Sequence, residues 1–200
     1  MHIFLLIVTI YFSIPQDLAK VLHMPDIIIT SENIAGCDPN IAEEQMVKLP
    51  YFRNAWQKQS DCSIYDREAV SIILIHFYAR WKNEFGDDNK KLLYELNRIT
   101  ILWGMKPRKA KNIYDIDGKH LKEAEIIGLC QGLSFIWVLG SEDTPIIETA
   151  LIHELVHYAL GATTGKTDFD HEGSIVPGWT PKHTSFIKDL RTDLKQTYGF

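Results

Sequence analysis

The sequence predicts a single α+β domain. Two long segments carry apolar residues at helical spacing. Two apolar runs of strand length end at glycine. No internal repeat or low-complexity tract interrupts the 200 residues. A chain of that length is expected to fold around one core, so residues 1–200 are read as one domain. Apolar residues make up 46% and charged residues 24%, which is enough for a packed interior and excludes intrinsic disorder.

Residues 3–12 form an apolar run too short to cross a bilayer as a helix. Two readings stay open: a signal peptide covering residues 1–18, or a buried N-terminal strand of β-branched and aromatic residues. Localisation follows that choice, secreted in the first case and cytoplasmic in the second. Residues 27–30 can form a short strand between turn signals at Pro25, at Gly36-Cys37-Asp38-Pro39 and at Pro50.

Asp66 has the character of an N-cap for a helix over 67–85 that Gly86 closes. Val70, Ile73, Leu74, Phe77, Tyr78 and Trp81 give it a broad apolar face, on which His76 reads as a core histidine. A short helix is predicted over 90–97 and a strand over 99–103, ended by Gly104 and Pro107. The basic stretch from Lys106 to Lys111 reads as a solvated loop, and Asp115 to Gly118 as a turn. A second strand is predicted over 133–139, stopped by Gly140. Ser141-Glu142-Asp143-Thr144 then precedes Pro145, a strong helix start, so a helix is predicted over 145–160 with Gly161 as its stop.

Cys37, Cys62 and Cys130 form no CxxC pair, which excludes a cysteine zinc site and a disulfide-dense scaffold. Buried free thiols are expected, with a Cys37–Cys62 bridge as the alternative in an oxidising compartment. The net charge of −5 provides no polybasic footprint, so nucleic acid is not an expected partner. Gly161 to Thr167 resembles a phosphate loop, but it is one residue short and follows a helix instead of a strand.

The chemistry lies in His153-Glu154-Leu155-Val156-His157. Residues four apart on a helix share a face, about 6 Å apart along its axis, so both imidazoles can reach one ion. Zinc accepts nitrogen ligands in an adaptable tetrahedron, and Glu154, next to the first ligand, can move a proton to and from water at the open position. Three ionisable side chains in a nearly all-apolar helix need a compensating partner. A catalytic zinc has three protein ligands, so one more must come from Asp168, Asp170, His171, Glu172 or His183.

The segment Pro177-Gly-Trp179-Thr-Pro-Lys-His183-Thr-Ser-Phe186-Ile-Lys-Asp-Leu190 resembles the His-x-x-Phe/Trp stretch that follows HExxH in SprT-like (Spartan-like) metalloproteases. That resemblance implies a zincin-like α+β domain, a small twisted sheet with a central HExxH helix. It implies His183 as third ligand, opening a helix whose aromatic residue packs below the site. It further implies that residues 133–139 form the sheet edge to which an extended peptide pairs. Gly165-Lys-Thr-Asp168-Phe-Asp-His171-Glu-Gly173 is also similar to the corresponding stretch of aspzincins, which implies Asp168 instead; His171 is a further alternative.

The expected function is therefore a peptidase using one zinc ion, with Glu154 as general base and a protein or peptide as substrate. Trp179 is expected to line the substrate cleft, and the oxyanion stabiliser is open among Tyr198, His171 and Arg191. The alternatives are a zincin-fold binding module that does not hydrolyse, and a secreted or delivered toxin-type protease.

Overall fold

The computed structural model describes residues 45–59, 65–104, 106–114, 120–141, 143–165 and 178–200. The expectations for residues 1–18, 27–30 and 36–39, for Pro25, Cys37 and Cys62, and for the 115–118 turn lie outside these residues. The fold is mixed α+β, a small sheet with several helices. Among the described residues no helix is long and apolar enough to cross a membrane.

Strand β1 (Gln45–Lys48) pairs antiparallel with β2 (Trp56–Gln59). Helix α1 (Arg67–Phe85) and the short α2 (Lys91–Leu96) then carry the chain across to β3 (Thr100–Gly104), which lies parallel to β2. A parallel pair needs such a crossover, whereas antiparallel neighbours need only a turn. The Asp66 carboxylate accepts from the Glu68 N–H at 3.0 Å to start α1, and Gly86 at φ 83 closes it, as the sequence predicts. Asp87 caps α2 by accepting from the N–H groups of Leu92 and Leu93 at 3.2 Å each.

Strands β4 (Arg108–Tyr114) and β5 (His120–Ile126) pair with each other as a separate antiparallel hairpin. Here the expected basic loop is corrected. Arg108, Lys109, Lys111, Lys122, Glu123 and Glu125 are all exposed, so no buried face imposes alternation that a sequence reading could detect. Lys109 meets Glu123 at 3.4 Å, and the Arg108 guanidinium lies 4.9 Å from the Trp137 ring centre at the hairpin's base.

The predicted 133–139 strand is also corrected. The chain forms β6 (Gly128–Gln131), turns over 132–134 and returns as β7 (Phe135–Leu139). The sheet order is β1-β2-β3-β7-β6, with β7 parallel to β3 and β6 antiparallel at the edge. Among the described strands β6 is thus the edge beside β7, with β1 at the opposite edge, and β7 is interior.

The predicted 145–160 helix begins later and ends later. Pro145 has ψ 139 and Thr149 has ψ 173, both extended, so only a 3-10 turn (Ile146–Glu148) forms before α3 (Leu151–Thr164). The Thr149 hydroxyl donates to the Ile146 carbonyl at 2.6 Å and accepts from the Leu151 N–H at 3.3 Å, which satisfies the break. Gly161 lies within α3, and the left-handed residue that ends it is Gly165 at φ 71. Last comes α4 (Pro181–Tyr198).

The core joins the sheet's Ile101, Trp103, Ile136 and Val138 to the apolar faces of α1, α3 and α4. Gly104 marks how tightly it closes: a Cβ there would lie 2.8 Å from Trp137 Nε1 and 2.9 Å from its Cζ2. Gly104→Ala is therefore expected to destabilise the fold by about 1–3 kcal/mol through overpacking, as measured by denaturant unfolding.

Candidate active site

Helix α3 packs against β6, β7, α2 and α4 and is buried on most of its circumference. Before its last turn the half-exposed positions are His153, His157 and Gly161, which fall on one stripe at four-residue spacing. The apolar residues around them hold the helix in the interior, and that stripe is the part of α3 left open to chemistry. The two imidazoles face one another with ring centres 5.1 Å apart. The same-face arrangement predicted from the spacing is present.

Trp179 closes over this pair. Its ring centre lies 5.0 Å from that of His153 and 4.8 Å from that of His157, and only 5% of the residue is exposed. Its indole N–H donates to the Thr184 hydroxyl at 3.0 Å, which ties it to the first turn of α4.

Glu154 is turned inward, 6% exposed, toward the edge strand. Burial pushes its carboxyl up to about 8, opposed by the backbone N–H of Cys130, which donates to it. The same surroundings push the Cys130 thiol up to about 12, through burial first and the nearby Glu154 second. That thiol is inert at neutral pH, and its Sγ donates to the Gly132 carbonyl at 3.2 Å.

His183 occupies the third position of α4 and forms a capping box with Thr180. Its Nδ1 accepts from the Thr180 N–H at 3.0 Å. The ring stacks on Phe85, centres 4.3 Å apart and planes within 4°, and lies 5.5 Å from Trp81. Burial, then the neighbouring Lys182, lowers its pKa. Phe186 packs edge-on against Phe77 at 5.3 Å. His183 meets Trp179 at 6.1 Å. Among the described residues no group of three metal-ligating side chains converges. Asp168, Asp170, His171 and Glu172 lie outside the described residues.

Two oxyanion candidates are engaged elsewhere. The Tyr198 hydroxyl lies 2.5 Å from His76 Nε2, joining the end of α4 to the middle of α1, and burial lowers the pKa of that core histidine. Arg191 donates to the Thr149 carbonyl at 2.8 Å, bracing the start of α3. Sequence reasoning missed Gly128 and the Cys130 N–H, which adjoin Glu154. Only the pairing of β6 beside α3 brings them there, and no spacing along the chain signals it.

No protein-family model, curated protein or solved structure matches this chain.

A carboxyl raised by burial binds its proton in the folded state at pH values where the unfolded chain has released it. Between the usual 4.5 and about 8, the folded form of the metal-free protein binds more protons, so stability falls as pH rises. The slope expected from Glu154 is up to about 1.4 kcal/mol per pH unit across that window. Urea unfolding in the presence of a chelator should show it, and Glu154→Gln should flatten it.

Proposed function

We propose that the chain is a zinc-dependent metallopeptidase. The observation that carries this reading is the pair of facing imidazoles on a buried helix, with a buried carboxylate one residue from the first. The donor set fits the ion: two imidazole ligands 5.1 Å apart at their ring centres, beside a buried acidic group. His153 and His157 would hold zinc, together with His183, Asp168 or His171. Zinc bound there supplies a Lewis acid that polarises the scissile carbonyl and makes water acidic near neutral pH.

The chain's own residues do the rest. Glu154 takes a proton from the attacking water and delivers it to the leaving amine. Trp179 packs beside the histidine pair and gives one aromatic wall to the site. The free edge of β6 lets an extended peptide add as a strand. Leu139 N–H donates to Ile127 O at 2.8 Å, so by the alternation of an antiparallel ladder Gly128 and Cys130 turn their backbone groups outward. The Cys130 N–H is engaged by Glu154, so an incoming peptide would use the Gly128 N–H and the two carbonyls.

His183 as third ligand has a condition attached. With Nδ1 accepting from Thr180, the ring proton sits on Nε2, so ligation through Nε2 requires the capping contact to rearrange. Asp168 and His171 are the comparisons to make.

Glu154→Gln is expected to retain zinc while hydrolysis of a dye-labelled protein substrate falls by roughly 10²-fold or more. Unchanged hydrolysis in a zinc-loaded Glu154→Gln protein would refute the assigned role. Across His183→Ala, Asp168→Ala and His171→Ala, one variant should lose zinc affinity by orders of magnitude in competition with a chelating dye. Three variants with unaltered affinity would contradict a three-ligand centre.

A further inference from the structure

Gly128 has no backbone reason to be glycine. Its φ lies outside the left-handed region, and it sits inside a strand, where glycine weakens pairing and has no side chain to pack. What it meets explains it. A Cβ at residue 128 would lie 2.3 Å from Glu154 Oε1, 2.9 Å from Glu154 Cδ and 2.7 Å from Ala150 Cβ. Real side chains do not approach so closely, so any larger residue must displace the carboxylate, the start of α3 or the strand.

Two residues along, the outward backbone N–H of Cys130 donates to that same carboxylate. The edge strand therefore acts on Glu154 twice. It gives way at Gly128 so that the carboxylate can lie against the backbone, and at Cys130 it supplies the donor that fixes the carboxylate's orientation. A glutamate has three side-chain torsions, and in an apolar interior it needs such a partner to hold one of them.

We propose that the outer edge of β6 is a ledge that positions Glu154, with Gly128 as the positioning residue that permits the contact and the Cys130 N–H as its anchor. The consequence for catalysis rests on the reading of Glu154 as general base, while the ledge itself does not. Displacing the carboxylate by the width of a methyl group moves it off the proton it must take, and misplacement of that order costs about a hundredfold in rate.

The test uses the full chain. In a double-mutant cycle read by denaturant unfolding, Gly128→Ala is expected to lower the folding equilibrium constant by about tenfold more in the wild-type background than in Glu154→Ala, where the carboxylate is gone. Equal cost in both backgrounds overturns the ledge. Should Gly128→Ala alone fail to fold, recovery of folding in Gly128→Ala/Glu154→Ala gives the same support. Separately, in assigned amide spectra the Cys130 N–H is expected to shift on Glu154→Ala more than those of Leu129 and Gln131; an unmoved Cys130 signal overturns the anchor.

With zinc bound, Gly128→Ala should keep wild-type metal content while kcat on dye-labelled casein falls by roughly a hundredfold with little change in KM. Full kcat with additive stabilities contradicts the proposal. A wild-type zinc protein that cleaves nothing, yet shows the coupling, refutes the peptidase reading and leaves the ledge standing.

Discussion

The structure turns on a carboxylate and two imidazoles carried by a helix that is otherwise apolar and enclosed. Isolated ionisable groups in such a place are costly, and each of these has a specific answer. Glu154 lies against the edge strand and accepts from the Cys130 N–H. His153 and His157 share the half-exposed stripe, facing each other beneath Trp179. The packing of α3 against β6 and β7 is thus set by a chemical requirement as much as by burial. It explains why the strand carries glycine where a β-branched residue would pair better.

Helix α4 holds the cover in place. Phe85, Trp81 and Phe77 make an aromatic wall on α1 against which His183 and Phe186 pack. Arg80 links the two helices through Asp189 and Asp193, while also pairing with Glu84 on its own helix. These are partly exposed contacts, and such pairs contribute little individually. Their value is in register. With Lys182 donating to the Glu84 carbonyl and Arg191 to that of Thr149, they fix where α4 begins, and so where Trp179 lies over the histidine pair. Replacement of His183 by a residue with no ring would disturb this corner even if zinc never touches it, through the lost stacking on Phe85 and the lost capping box.

What could be read from the sequence divides along physical lines. Helix α1 was legible because Asp66, a continuous apolar periodicity and Gly86 all agree. The relation between His153 and His157 was legible because helical geometry is local. Three features were not. The charged residues described on the β4–β5 hairpin are exposed on both of its faces, so they carry no alternation. The start of α3 is displaced past Pro145 because Thr149 takes an extended conformation, satisfied by its own hydroxyl and by Arg191 from forty-two residues away. The edge strand over 128–131 was missed, and the predicted 133–139 strand began two residues early because the 132–134 turn takes Leu133 and Ser134. The surroundings of Glu154 were invisible because they are made by pairing between distant segments, not by any local pattern.

Binding of one zinc ion through these histidines is the claim on which the proposed chemistry depends. X-ray absorption at the zinc edge of the purified, zinc-reconstituted full chain tests this most directly. The expected result is one zinc per chain, bound by about four nitrogen and oxygen donors and no sulfur, with the multiple-scattering signature of at least two imidazoles. That signature should vanish in His153→Ala/His157→Ala. Substoichiometric zinc, sulfur ligation, or an unaltered spectrum in the double variant would contradict it.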